Sequence, residues 1–218
     1  MYPVKKTIHS LFNANLVGVM LICAASALII AAIFALTFTW FATHLITIEN
    51  KWFAALFTTS IGILTGVGGW FMLPSLIVVI AGFFQDTIIR HVEQKEYPHA
   101  ASRAELAFWP EFLHDLRFTA WSLLLNLLIL PFYLVGVGFV ISVALNGYLI
   151  GREFFESVAG YHLGKAQAKI LRRQHRKVVF SGGLALTLLT LVPGLNLFAP
   201  VIAVIWMVHV YQALPGNK

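Results

Sequence analysis

The sequence predicts an all-α integral membrane protein with two long transmembrane helices and two half-penetrating helical hairpins. Three observations carry that expectation. The first is charge: all 15 Lys and Arg and all 9 Asp and Glu fall outside four stretches, 7–48, 52–85, 118–151 and 178–217. At the ~25% charged content of a soluble domain, one uncharged run of 34 residues arises with a chance of about 10⁻⁴ or less. The second is pattern. Segments such as Leu21–Leu36 are apolar on every side, as a lipid-facing helix must be, and lack the polar–apolar alternation of a membrane barrel strand. The third is the placement of helix breakers and of positive charge along the chain, developed below. With 59% hydrophobic residues, a disordered chain is excluded as well.

The chain reads as one polytopic domain over 1–218. Run one, about 16–45, has no proline and a single early glycine, Gly18, and forms one long span. Lys5 and Lys6 precede it, but the run far exceeds the 7–15 residues of a signal-peptide core. Cys23, the single cysteine, lies inside it as a small hydrophobe, so no intrachain disulfide is expected. Run two gives a span at about 55–84. It contains Gly62, Gly66, Gly68, Gly69 and Pro74, and is either a span with a flexible middle or a broken element. Run three is interrupted by Pro131, Gly136 and Gly138, and run four by Pro193, Gly194, Asn196 and Pro200. Each half of these two runs supplies roughly 20 Å of helix, against about 30 Å of hydrocarbon.

Charge selects hairpins for runs three and four, at about 118–150 and 178–208. Four simple spans divide Lys and Arg 7 to 8 between the two sides, which gives no orientation. Two spans with two re-entrant hairpins place 14 on one side and leave Lys51 alone on the other. Both termini are then cytoplasmic. The intervening polar segments read as interfacial helices at about 102–116, opened by the capping box Ser102-Arg103-Ala104-Glu105, and at about 152–177, continuing out of run three. Turns at membrane depth need cover from protein. Two spans in one chain supply little of it, so a homo-oligomer is expected, with Gly62, Gly66 and Gly69 permitting close helix approach.

Three polar features are candidates for function. Lys165, Lys169, Arg172, Arg173 and Arg176, with Lys177 beside them, fall on one face of a continuous helix. They either steer an anionic substrate to a cytoplasmic mouth or contact phospholipid head groups. Arg152, four residues before Glu156, either neutralises an anion path or forms a helix-surface salt bridge. In Pro193-Gly194-Leu195-Asn196-Leu197-Phe198-Ala199-Pro200, Asn196 is placed to cap the outgoing half-helix. The N–H groups of Leu197, Phe198 and Ala199 would then be free for an anion; the alternative is a purely structural tip. No His-x-x-x-His pair, Walker loop or Gly-x-Ser-x-Gly elbow occurs. The expectation is therefore a protein that is not an enzyme, with no catalytic residues, no cofactor and no metal. His44 and His209, near apolar runs, are either proton relays or packed histidines. The basic stripe beside membrane segments favours phospholipid or a small anion over nucleic acid.

Gly147-Tyr148-Leu149-Ile150-Gly151-Arg152-Glu153-Phe154-Phe155-Glu156, the basic segment through Leu171-Arg172-Arg173-Gln174-His175-Arg176, and Val192–Pro200 resemble the membrane family of CysZ-type sulfate permeases and the etoposide-induced autophagy-related membrane protein. Leu73-Pro74 to Val92-Glu93 resembles that family's second-helix exit. The resemblance covers roughly 70–218. It implies a multi-pass protein of the bacterial inner membrane, two spans and two half-penetrating hairpins, an oligomer, and sulfate uptake feeding cysteine synthesis. Sulfate permeases of the family carry arginines in the turn before the first long helix, whereas this chain has Phe12-Asn13-Ala14-Asn15. None of those arginines carries over. The leading expectation is a permease for sulfate or a related oxyanion; the alternative is a non-transporting membrane scaffold or adaptor.

The topology is testable in a Cys23→Ala background. Cysteine at Asn50 is expected to react with an impermeant thiol reagent from the periplasm, and cysteine at Gly136 or Gly194 is not. Periplasmic labelling at both glycine positions restores four full spans.

Overall fold

The computed structural model describes residues 3–13, 16–45, 50–98, 108–192 and 194–215, apart from the side chains at 70–72, 74–75, 108–116, 118–119 and 130. The expected capping box at 102–105, the start of the 102–116 helix and Pro193 lie outside the described residues. All the regular structure among the described residues is helical. The chain forms two units, one of Gly18–Phe84 and one of Met1–Val17 with Gln85–Lys218.

In the first unit, α2 (Leu16–Leu45) and the first part of α3 (Lys51–Glu96) are long and apolar enough to cross a membrane. Leu21, Ile29, Ile33 and Leu36 are exposed on α2, while Met20, Cys23 and Ala27 form a buried stripe at helical spacing. Cys23 is thus a packed hydrophobe, as read. Thr39 Oγ1 and Thr65 Oγ1 lie 3.0 Å apart and join the two helices. Each of Thr43 and Thr65 also returns its hydroxyl to a carbonyl in its own preceding turn, keeping it satisfied in an apolar setting. The ambiguity over run two resolves: the backbone stays helical through Gly62, Gly66, Gly68 and Gly69.

The second unit begins with α1 (Val4–Asn13) and takes in the end of α3. It continues with α4 (Phe108–Leu134), α5 (Gly138–Leu163), α6 (Lys165–Gln174), α7 (Arg176–Thr190) and α8 (Ala199–Gln212). A turn around Gly136, at φ +79°, joins α4 to α5; Pro131 lies inside α4 rather than at the turn. Gly194, at φ +84°, and a 3-10 turn at Leu195–Leu197 separate α7 from α8. Residues 152–177 are not one helix. Gly164 takes φ +79°, a left-handed conformation that glycine alone adopts without strain, and ends α5. His175 ends α6. The stretch is therefore the end of α5, all of α6 and the first turn of α7.

Glycine sets the central contact. A Cβ on Gly151 would lie 2.6 Å from the Val179 carbonyl oxygen, and one on Gly183 would collide with the Gly147 carbonyl oxygen. Thus α5 and α7 meet backbone to backbone through Gly147, Gly151 and Gly183. Against them lies α8, in which nearly every residue from Ala199 to Tyr211 is buried. A helix apolar on all sides belongs in such a core position.

Two neighbouring polar clusters tie α1 and the end of α3 to α5 and α8. Glu93 Oε1 accepts from Gln212 Nε2 at 2.7 Å and lies 2.8 Å from His162 Nε2. The His162 ring stacks on Tyr211. Nearby, the buried His209 uses both ring nitrogens: Nε2 is 3.0 Å from Ser10 Oγ on α1 and Nδ1 is 2.9 Å from the Tyr97 hydroxyl. Burial pushes the His209 pKa down to about 4, against the opposing pull of Glu96 and with a smaller downward push from Lys6. Packing and hydrogen bonding are what the structure shows for this histidine.

Two outcomes follow for stability. Gly183→Ala forces the α5–α7 backbones apart and is expected to cost about 1–3 kcal/mol, read as a fall in melting temperature in detergent. Gly82→Ala, with open space around it, is expected to cost nothing. Separately, the unfolded chain protonates His209 near pH 6.5, whereas the folded protein refuses that proton down to about pH 4. Its stabilisation is therefore complete above pH 6.5 and is lost as pH falls towards 4, by on the order of 3 kcal/mol. Melting curves across that window are expected to drop more steeply for the wild type than for His209→Asn.

Candidate anion site

Three helices converge on one cationic cavity. On α5, Tyr148, Arg152 and Glu156 recur at i, i+4 and i+8 and share a face. The left-handed turn at Gly164 sends α6 back along α5. Arg172, sixteen residues after Glu156, thereby reaches it: Arg172 Nε donates to Glu156 Oε1 at 2.6 Å. Arg152 Nε approaches the other carboxylate oxygen at 3.5 Å. One carboxylate thus spans two guanidinium groups. The Arg172 guanidinium carbon also stands 5.8 Å from the centre of the Tyr148 ring, a cation–π arrangement.

The buried state of Arg172 and Glu156 is explained by this pairing. A lone charge in such a position carries a desolvation cost of several kcal/mol, which a short, hydrogen-bonded partner offsets. The cavity beside the pair measures about 300 Å³ and is lined by Tyr148, Arg152, Arg172, Arg176, Lys177, Val179 and Phe180. Four cations line it, and Glu156 behind them neutralises only part of their charge. Arg176 and Lys177, from the first turn of α7, are exposed. The arrangement therefore combines a fixed inner pair of guanidinium groups with two outer, solvated cations. Guanidinium N–H groups match an oxyanion in both charge and geometry.

The structure brings together Arg152, Arg172, Arg176 and Lys177 of the residues read from sequence. Lys165, Lys169 and Arg173 do not line the cavity. The single basic face is corrected accordingly: the break at His175 puts Arg176 on a different helix, and Arg172 turns inward.

The expected site at the last turn does not form as drawn. Asn196 caps no helix; it sits in the 3-10 turn, and Phe198 occupies the capping position of α8 without a side-chain bond. The Leu197 N–H donates to the Gly194 carbonyl at 3.3 Å and the Phe198 N–H to the Leu195 carbonyl at 3.0 Å. Those donors are already used. Ala199, at the first position of α8, is buried. The turn between α7 and α8 thus uses two of the three N–H groups that the free helix terminus was expected to offer.

Two participants escaped the sequence reading: Tyr148, which presents its ring to Arg172, and Glu156 as the partner of Arg172 as well as of Arg152. The signal for the first was the i, i+4, i+8 spacing. The signal for the second was Gly164, which ends α5 and allows α6 to fold back.

Comparison with curated proteins and with solved structures finds no match. Residues 4–200, nearly the whole chain, match the family described as sulfate transporter CysZ/etoposide-induced protein 2.4, and the protein belongs to that family.

Proposed function

We propose that the protein is an inner-membrane permease for sulfate or a related oxyanion, supplying sulfur for cysteine biosynthesis. The observation that carries this reading is the cavity lined by Arg152, Arg172, Arg176 and Lys177. Family membership supports the direction. In this reading Arg152 and Arg172 bind the anion, held in place by Glu156, while Arg176 and Lys177 capture it from the cytoplasmic side. Lys165, Lys169 and Arg173 contribute to the field around the mouth or meet lipid head groups.

The membrane arrangement proposed with it has two full spans, half-penetrating hairpins at about 118–150 (within α4 and α5) and about 178–208 (within α7 and α8), both termini cytoplasmic, and a homo-oligomer. The lengths of α7 and α8 support the hairpin for that pair. Their 15 and 14 residues amount to about 21–23 Å, short of the ~30 Å of hydrocarbon.

A non-transporting scaffold is the second reading, favoured by the absence of arginines at 12–15. Calorimetric titration with sulfate, sulfite, phosphate and chloride separates the two. No heat and no thermal shift with millimolar oxyanion favours the scaffold.

Sulfate flux into liposomes tests the cavity itself. Arg176→Gln combined with Lys177→Gln removes two exposed charges without disturbing the buried pair. It is expected to lower flux about 3- to 30-fold and to flatten its salt dependence. Asn196→Ala, at a residue whose side chain caps nothing, is expected to leave affinity within about twofold. If the double variant transports like the wild type and Asn196→Ala does not, the anion path runs through the turn and not through the arginine cavity.

A further inference from the structure

A second cavity, of about 740 Å³, lies against α1, the start of α7 and the end of α8. Its lining is divided. Lys5 and Lys6 from α1, with His175 and Ser181, give a polar end; Val178 and Val210 belong to apolar walls. No Asp or Glu is among the lining residues. His209 contributes no free nitrogen, since Ser10 and Tyr97 occupy both. The Lys6 ammonium is steadied 5.8 Å from the Tyr97 ring centre. The volume falls within the usual range for small-molecule sites, and the combination of a cationic end with apolar walls suits an amphiphile.

A second observation comes from α1 itself. Val4, Ile8 and Phe12, at i, i+4 and i+8, are 46%, 54% and 67% exposed, while Thr7 and Ser10 on the other side are buried. The helix is thus amphipathic, with an unpartnered apolar stripe and lysines beside it. Four residues after Phe12, the span α2 begins at Leu16.

We propose that this cavity binds one anionic phospholipid, its phosphate held by Lys5 and Lys6 and its acyl chains lying along the apolar walls. The stripe Val4–Ile8–Phe12 rests in the adjoining interface. Inorganic phosphate shares the headgroup chemistry but would use only the polar end.

Native mass spectrometry of the full chain in mild detergent tests the proposal, with phosphatidylglycerol, phosphatidylcholine and inorganic phosphate as probes. One phosphatidylglycerol is expected to be retained at least tenfold better than phosphatidylcholine, and millimolar phosphate is expected not to displace it. Lys5→Gln with Lys6→Gln is expected to weaken retention about 10- to 30-fold. Both lysines are exposed, so the fold is expected to survive. Ala213→Trp, which fills the cavity wall without altering charge, is expected to weaken retention as well. Equal retention of the two lipids overturns the proposal, as does retention unchanged by both variants. Displacement by phosphate overturns the lipid assignment and leaves a small-anion site. Because Ala213→Trp leaves every charge in place, its effect separates a built site from general attraction of lipid to a basic surface.

Discussion

The contact of α5 with α7 through Gly147, Gly151 and Gly183 is the constraint on which the larger unit depends. Helices that meet at side chains stand about 8–10 Å apart; here the backbones touch. A cavity-lining residue directly follows each of the two α5 glycines at this contact: Tyr148 follows Gly147 and Arg152 follows Gly151. One residue of helix is about 100° of rotation. The side that meets α7 and the side that faces the cavity are therefore adjacent, and the first turn of α7 delivers Arg176 and Lys177 to the same place. A larger residue at any of the three positions would separate the helices and enlarge the cavity between the cations.

The Glu156–Arg172 pair depends on that packing and adds its own condition. α6 is short, and its sequence is too polar for a core helix. What anchors it is the side that meets α5, through buried Ala168 and Arg172. Such a pair is weak evidence for net stability, because desolvation cancels much of its attraction. It is strong evidence for geometry, since removing one partner leaves the other charge buried. The fixed position of the guanidinium of Arg172 is thus a consequence of the carboxylate behind it. The same logic operates at Glu93, which gathers His162 and Gln212 from two helices.

Much of this architecture was legible in the sequence. The uncharged runs locate α2 and the first part of α3, because a lipid-facing helix admits almost no charge. Gly136 and Gly194 mark turns, because both take conformations that favour glycine. Arg152 and Glu156 pair as their spacing requires. The failures share a cause. The basic stripe was projected onto one continuous helix, but Gly164 takes a left-handed conformation that no periodicity reveals, and Arg172 turns inward as a result. At Asn196 the capping preference was sound as a propensity. It lost to a tighter 3-10 turn, in which neighbouring carbonyls satisfy the N–H groups first. In both cases a turn conformation that helical periodicity does not record decides the outcome.

The partly compensated charge of the cavity bears on how long an anion stays. A buried and a part-buried guanidinium group with no carboxylate between them would hold a divalent oxyanion tightly. Glu156 competes for the same N–H groups and is tethered to the helix, so it re-forms its bonds as soon as an anion loosens. On the proposed function, that competition shortens the residence time. At a millimolar dissociation constant and a capture rate of ~10⁷ M⁻¹s⁻¹, an anion departs in about 0.1 ms; at nanomolar affinity the same capture rate would hold it for about 100 s. A conduction path needs the first regime, and a carboxylate built into the wall of the site is one way for a strongly cationic cavity to reach it.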